Sequence, residues 1–243
     1  MMEALLKMVL VCGFVSMAHC TATAQTSSCA RVEGPFDLAQ VGPRVGCPLS
    51  AVIENSHSQT LADGGHVQTK SKTAVYRDSV GRVRFDNYAP TQESPSFIQI
   101  YDPVEGVQYF IQPQYAIASR SRWSGPPPSS KIGAQDQHMS AQASAFPPAP
   151  GPTIERLGPQ RMQGILVTGQ RITWTIPAGA QGNDRALTIV RETWISSAMG
   201  ITLLEKKSDP RSGDDEKRMT NLEQAEPDIA LFRVPADYTI KDQ

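Results

Sequence analysis

The chain has 243 residues, of which 40% are hydrophobic and 19% are charged, and its formal net charge is −1. This length fits one large all-β domain or two small ones, and the apolar content is enough for a core, which excludes a wholly disordered chain. The near-neutral charge, with only 23 Lys and Arg residues, argues against a nucleic-acid binder, because such a protein needs a basic face to displace counterions from phosphates.

Residues 1–24 have the features of a secretory signal peptide. An apolar run follows the single lysine of the start, and Ala22 and Ala24 place small side chains where signal peptidase cuts. A membrane anchor would need about 20 apolar residues. A lipoprotein would carry lipid on Cys20, but the bulky His19 stands where a lipobox has Gly or Ala. The chain is therefore predicted to be exported, to the periplasm or beyond the cell, with no transmembrane segment after cleavage.

Export determines how the four cysteines are interpreted. Cys12 and Cys20 leave with the signal peptide, so Cys29 and Cys47 remain. In an oxidising compartment two remaining cysteines usually pair. The predicted disulfide would hold the irregular N-terminal segment, residues 25–48, against the first strand. The spacing of the two cysteines is far from that of a Cys-x-x-Cys redox site.

Residues 49–122 form the first half of the predicted β domain, because small or β-branched residues alternate with polar ones. His66–Arg77 shows this period of two most clearly. Tight turns rich in Asp and Gly separate the runs, as hairpins require. The strands predicted in this half are 49–61, 66–77, 82–88, 97–101, 107–111 and 115–121.

The hairpin of residues 97–101 and 107–111 carries apolar side chains on both faces. One predicted face bears Phe97, Tyr101, Tyr109 and Ile111, and the other bears Ile98, Ile100 and Phe110. Since a solvated sheet has one apolar face, both faces of this hairpin need a cover. Phe110 and Ile98 are therefore candidate ligand-binding residues.

The composition changes at residues 123–153, which contain seven prolines among Ser, Ala, Gln and Gly. Such a stretch buries too little apolar area to offset its ordering entropy, so it is predicted to be a mobile loop. Residues 154–243 form the second half of the β domain and end in one helical turn that Asp228 caps and an extended stretch. The strands predicted in this half are 154–157, 165–176, 187–196, 201–208 and 217–222.

Trp174 and Trp194 lie on adjacent predicted strands of the second half. Trp174 shares its face with Ile172 and Ile176, as alternation along a strand requires. Large aromatic side chains at such positions either pack in the core or line a groove, and both alternatives stay open for these two. Trp174 and Trp194 join Phe110 as candidate ligand-binding residues.

No catalytic or metal site is predicted. If the turn at Ala62–Gly65 folds symmetrically, His57 lies opposite Lys70, so His57 and His66 do not face each other. The acidic run Asp214–Glu216 is interpreted as a solvated hairpin tip. The sequence contains no G-x-S-x-G, P-loop or G-x-G-x-x-G motif. The protein is therefore predicted to be a non-enzyme without cofactor or metal.

Short motifs over most of the mature chain carry a family resemblance. They are QTLADG at 59–64, VYRDSVGR at 75–82, YDPVEGVQY at 101–109, IPAGAQGND at 176–184, EKKSDPRSGD at 205–214 and AEPDIALFRVPADYTI at 225–240. With these motifs the chain resembles a set of uncharacterised secreted bacterial proteins. More distantly, the successive hairpins, the strands at 191–195 and 200–204 and the closing residues 231–235 resemble the LolA/RseB-like envelope carriers.

The resemblance to the envelope carriers implies both a fold and a class of ligand. It implies a mainly β protein with a single curved antiparallel sheet, a half-barrel of about ten or eleven strands, interrupted here by the long proline-rich insertion. It also implies that the sheet cups lipid or acyl groups.

Three classes of function follow from the sequence. The leading one is an exported, non-catalytic protein that binds an apolar ligand, a lipid or an acyl chain, in a curved sheet. The alternative is an envelope structural or protein-interaction protein that acts on an envelope partner without a small ligand. The third is a hydrolase of unrecognised type, for which the recognisable constellations are missing.

Export is tested by N-terminal sequencing of protein purified from the cell envelope. Since small residues at Ala22 and Ala24 follow the apolar run, we expect the mature chain to begin at Gln25. A product that retains Met1, or one that is lipid-modified at Cys20, would contradict this prediction.

Overall fold

The computed structural model describes residues 29–31, 41–123 and 151–243. The signal peptide prediction and the predicted mobile loop, apart from its ends, lie outside these residues. The described residues form one short two-stranded pair and one open sheet of 12 strands. The prediction of a mainly β protein with a single curved sheet is confirmed, with slightly more strands than expected.

A short pair of strands precedes a long meander in the first half. The pair consists of β1 (Ala30–Arg31) and β2 (Arg44–Val45). The meander consists of β3 (Leu49–Thr60), β4 (His66–Arg77), β5 (Val83–Tyr88), β6 (Phe97–Asp102), β7 (Val107–Gln112) and β8 (Ile117–Arg122). A 3-10 turn, Pro113–Tyr115, separates the last two strands.

A second meander and a short closing strand form the other half. They are β9 (Thr153–Met162), β10 (Ile165–Ile176), β11 (Leu187–Ser196), β12 (Ile201–Asp209), β13 (Gly213–Glu223) and β14 (Thr239–Asp242). A 3-10 turn, Ile229–Phe232, precedes β14, and the carboxylate of Asp228 caps it by accepting from the Ala230 amide at 2.9 Å. Neither 3-10 turn of the described residues is long or apolar enough to cross a bilayer.

The two meanders join side by side. The strand order is β14-β8-β7-β6-β5-β4-β3-β13-β12-β11-β10-β9, and every pairing is antiparallel except that of β14 with β8. The join is the pairing of β3 with β13, in which His57 lies opposite Asp215.

Residues paired directly across strands share a face of the sheet. One row of direct pairs therefore defines what we call the front face. From β9 to β4 this row consists of Ile154, Ile172, Arg191, Lys207, Asp215, His57 and Thr69. The opposite side of the sheet is called the back face.

The register of the first hairpin differs from the predicted one. His57 pairs with Thr69, not with Lys70, because β3 ends at Thr60 and the connection is longer than the symmetric turn. The amide of Leu61 donates to the carbonyl of Gly65 at 2.7 Å and closes the turn, in which Gly64 has a φ of +84° that suits glycine. The prediction that His57 and His66 do not face each other still holds.

The faces of the β6–β7 hairpin also differ from the prediction. Gln99 pairs with Phe110 and Ile98 pairs with Ile111, because the turn sets Asp102 opposite Val107. Phe110 therefore shares the front face with Phe97 and Tyr101. The back face carries Ile98, Ile100, Tyr109 and Ile111.

The main core lies where β3 and β12 begin. The Cys29–Cys47 disulfide forms as predicted, with the Cα atoms 5.4 Å apart, and it belongs to this core. Val41, fully buried, bridges to Ile201 at the start of β12. The fully or almost fully buried members of this core include Leu49, Val75, Val83, Val167, Leu203 and Met219.

The buried Arg77 ties the N-terminal segment to both halves of the sheet. Its guanidinium donates to the carbonyls of Cys47 at 2.8 Å, Gly42 at 3.0 Å and Met199 at 3.1 Å. Burial, and then the charge of Arg44, lower the pKa of Arg77 to about 10. No carboxylate of the described residues pairs with this side chain, so carbonyl oxygens alone solvate its charge.

A second core lies on the back face of β6–β8. It consists of Ile98, Ile100, Ile111 and Ala118, with Tyr109, Val234 and Tyr238 packed against them. The C-terminal segment, to which Val234 and Tyr238 belong, thus covers this face, for which the sequence predicted no covering element.

Two arginines of the first meander hold the C-terminal segment in place. Arg84 donates to the Leu231 carbonyl at 2.7 Å and pairs with Asp86 at 2.6 Å. The guanidinium of Arg82 lies 5.6 Å from the ring centroid of Phe232, which is a cation–π distance.

The role of Arg77 is tested by Arg77→Met, measured by urea unfolding of the disulfide-intact protein. Three carbonyls lose their donor, so we expect a loss of about 3 kcal/mol in the free energy of unfolding. Arg185→Met, in an exposed turn, is the matched control and should change little. An Arg77→Met protein as stable as the wild type would contradict a stabilising role of Arg77. The free energy gained from its hydrogen bonds would then only equal the cost of burying its charge.

Candidate functional site

The structure divides the four predicted ligand-binding residues between the two faces. Trp174 and Phe110 lie on the front face, and Phe110 is 41% exposed. Ile98 and Trp194 lie on the back face and are only 7% and 8% exposed. Trp194 and Ile98 therefore pack inside the protein, and contact with a ligand stays a prediction for Trp174 and Phe110.

Trp194 is held by packing and by a hydrogen bond. Its ring packs against Gly169 on the neighbouring strand, where an added Cβ atom would be 2.6 Å from the nearest ring carbon. The indole N–H donates to Glu192 at 2.8 Å, and Arg171 donates to the other carboxylate oxygen of Glu192 at 2.8 Å. The indole hydrogen bond, followed by that of Arg171, lowers the pKa of Glu192. The close approach explains a glycine in the middle of a long strand.

Trp174 lies in an apolar surface on the front of β9–β11, which we call the apolar strip. Ile154 pairs with Ile172, and Trp174 pairs with Ile189. Ile154 is 60% exposed and the other members are half-buried. The apolar strip comprises Ile154, Ile172, Trp174, Ile176, Leu187 and Ile189.

Among the described elements, only sheet neighbours make extensive contacts with β9, β10 and β11. No described element therefore covers the apolar strip as the C-terminal segment covers the back of β6–β8. An adjoining cavity of about 600 Å³ extends along the same face past Ile172, Arg191 and Ile195.

Aromatic side chains occupy the front face at the other half of the sheet. Phe97 and Phe110 stack with ring centroids 5.4 Å apart, and Phe85 and Tyr101 meet edge to face at 6.1 Å. The ring centroids of Trp123 and Tyr101 are 5.7 Å apart. Burial raises the pKa of Tyr101. These five rings partly cover one another, and Phe110 is the most exposed of them, at 41%.

The middle of the front face is polar. The ring Nδ1 of His57 and a carboxylate oxygen of Asp215 are 2.8 Å apart. This pair lines an open cavity of about 580 Å³ where β3, β4, β12 and β13 meet. Its other front-face residues are Asn55, Thr69, Ser71, Glu205, Lys207 and Lys217.

An Asp–His pair is part of the machinery of many hydrolases, but such an enzyme also needs a nucleophile bound to the other ring nitrogen. In the described residues no hydroxyl or thiol hydrogen-bonds to Nε2 of His57. The described residues also contain no group of three or more His, Cys, Asp or Glu side chains that would hold a metal ion.

The acidic run at 214–216 is not a solvated hairpin tip as predicted. Its residues lie within β13, because the turn falls at residues 210–212. Asp215 pairs with His57, and Glu216 pairs with Arg218 at 2.8 Å and with Lys206 at 3.6 Å.

Sequence reasoning found one half of the front face and missed the other. The alternation along one strand indicates that Ile172, Trp174 and Ile176 share a face, but it left open whether this face is core or surface. The polar cavity was not visible, since Lys207 and Lys217 meet His57 only after β3 pairs with β13. No local pattern signals a pairing between residues this distant in the chain.

Comparisons with known proteins find distant structural neighbours. No family model and no curated protein sequence matches the chain. An uncharacterized conserved protein from Thermus thermophilus is similar over 82% of this chain and 91% of its own, with 11% identity and a TM-score of 0.43. The MucA/MucB complex of Pseudomonas aeruginosa matches over 79% of this chain and 58% of that chain, with 11% identity and a TM-score of 0.42.

A LolA superfamily protein from Nitrosomonas europaea is a third neighbour. It is 6% identical, with a TM-score of 0.33, over 77% of this chain and 90% of its own. The distant resemblance to LolA- and MucB-type proteins expected from the sequence is thus confirmed. Likeness at these identities and TM-scores concerns the fold alone, so function has to be argued from the residues of this chain.

The different roles of the two tryptophans are tested by separate alanine variants. We expect Trp194→Ala to lower the free energy of unfolding by about 3–5 kcal/mol, because it leaves a cavity against Gly169 and removes the donor to Glu192. Trp174→Ala should cost clearly less, since its ring is only half-buried. Urea unfolding measures both, and equal losses would show that Trp174 is a core residue.

Proposed function

We propose that the protein is an exported, non-catalytic binding protein whose apolar strip holds a lipid or acyl chain. The observation that carries the proposal is the apolar strip itself, with six apolar side chains on three adjacent strands. Ile154 is 60% exposed, and none of the other five is fully buried.

An apolar surface of this kind is costly for a lone soluble protein. Each square ångström of apolar surface removed from water contributes roughly 25 cal/mol. A monomer seldom leaves a contiguous apolar patch of more than a few hundred Å² exposed unless the patch binds something. A flexible hydrocarbon chain suits a flat strip of this kind, because it needs no hydrogen-bond partner and follows the shape of Ile172, Trp174 and Ile189.

Export of the protein is supported by the disulfide as well as by residues 1–24. Disulfides persist in oxidising compartments and are rare in the cytosol. The Cys29–Cys47 bridge lies in the main core next to Arg77, so it is a structural element of the fold. A binding protein of the envelope is consistent with both features.

The proposal is tested with the neutral apolar dye N-phenyl-1-naphthylamine and the delipidated mature protein. The dye should become fluorescent when it binds the apolar strip, and oleate should displace it. Trp174→Ala should weaken dye binding about tenfold, because a large part of the apolar contact is lost. Tyr115→Ala, which removes an aromatic side chain that is 63% exposed on a turn outside the strip, is the matched control.

Two results would contradict the proposal. A folded protein that binds neither dye nor oleate would favour the alternative, an envelope structural or protein-interaction protein without a small ligand. Dye binding that Trp174→Ala leaves unchanged would show that the ligand binds elsewhere on the protein.

A further inference from the structure

Two lysines lie on the front face near the apolar strip, Lys207 directly opposite Asp215 and Lys217 directly opposite Glu205. Lys207 and Lys217 point to the front face from neighbouring strands, and neither forms an ion pair with any described residue. Each lines the polar cavity of about 580 Å³.

The carboxylates of the same cavity all have partners other than these two lysines. Asp215 is 2.8 Å from His57, and Glu205 is 2.8 Å from Arg191. Glu216 is 2.8 Å from Arg218. The two arginines neutralise Glu205 and Glu216, so Asp215 is the one cavity carboxylate left to balance Lys207 and Lys217, and the pair of lysines carries one surplus positive charge. One anionic group at the cavity would balance this surplus.

The positive centre and the apolar strip are continuous on the front face. Lys207 pairs directly with Arg191, and Arg191 pairs directly with Ile172 of the strip. Neighbouring strands lie about 4.8 Å apart, so Ile172 is about 10 Å from Lys207 across the sheet. The cavity of about 600 Å³ is lined by Ile172 and by Arg191, the direct neighbour of Lys207 in the polar cavity.

We infer that the ligand of this face is a single-chain acidic amphiphile, a long-chain fatty acid, with its carboxylate at Lys207 and Lys217 and its chain along the apolar strip. The inference rests on the proposed function and adds the head group to it. Two lysines and one narrow strip match one carboxylate and one hydrocarbon chain. Charge-assisted hydrogen bonds from ammonium to carboxylate are stronger than neutral ones, so the head group fixes the direction in which the chain lies.

The experiment compares oleate with oleyl alcohol, which has the same chain without the charge, as competitors of N-phenyl-1-naphthylamine. On the wild-type protein oleate should compete about tenfold more strongly than oleyl alcohol. The double variant Lys207→Gln/Lys217→Gln should lose this preference and bind the alcohol as the wild type does. Lys241→Gln, on the exposed strand β14, is the matched control and should keep the preference.

Several outcomes would overturn the head-group assignment while leaving the proposed function in place. Equal competition by oleate and oleyl alcohol on the wild type would do so, and so would an unchanged preference for oleate in the double variant with a native circular dichroism spectrum. Stronger competition by dioleoylphosphatidylglycerol than by oleate would assign the site to a phospholipid instead. Failure of every competitor and of the dye would contradict the proposed function itself.

Discussion

The pairing of β3 with β13 is the constraint on which the rest of the structure depends. It joins two meanders into one sheet of 12 strands and fixes which side chains share a face from β9 to β4. A slip of one residue in this register would move every side chain of one half to the opposite face. Lys207 and Lys217 would then no longer lie beside His57, and the apolar strip would no longer share a face with His57 and Thr69.

A single-layer sheet has two faces, and this chain covers them unevenly. The back face of β6–β8 is covered by the C-terminal segment, which Arg84 anchors through the Leu231 carbonyl. The disulfide-linked segment closes the main core through Arg77. No described element closes the front of β9–β11 in the same way. The face that the described chain leaves open is therefore the one that is available to a ligand.

Local sequence patterns predicted much of the fold, but not which side chains share a face of the sheet. The bounds of β4, β10 and β11 follow from alternation alone, as does the cap at Asp228 from its local sequence. The face of Phe110 was assigned wrongly because it depends on the length of one turn, and so was the partner of His57. Two further features depend on contacts between distant parts of the chain, which alternation does not encode. They are the packing of Val234 and Tyr238 on Ile98 and the cavity that Lys207 and His57 both line.

The central claim, that an apolar chain lies along the strip at Trp174, is tested most directly by fluorescence quenching. In the variant Trp123→Phe/Trp194→Phe, Trp174 is the last of the three tryptophans of the chain. A fatty acid brominated along its chain should then quench the emission strongly, because bromine quenches only on contact. Quenching that saturates as binding saturates is the predicted result. Binding of the brominated chain without any loss of Trp174 emission would contradict the account.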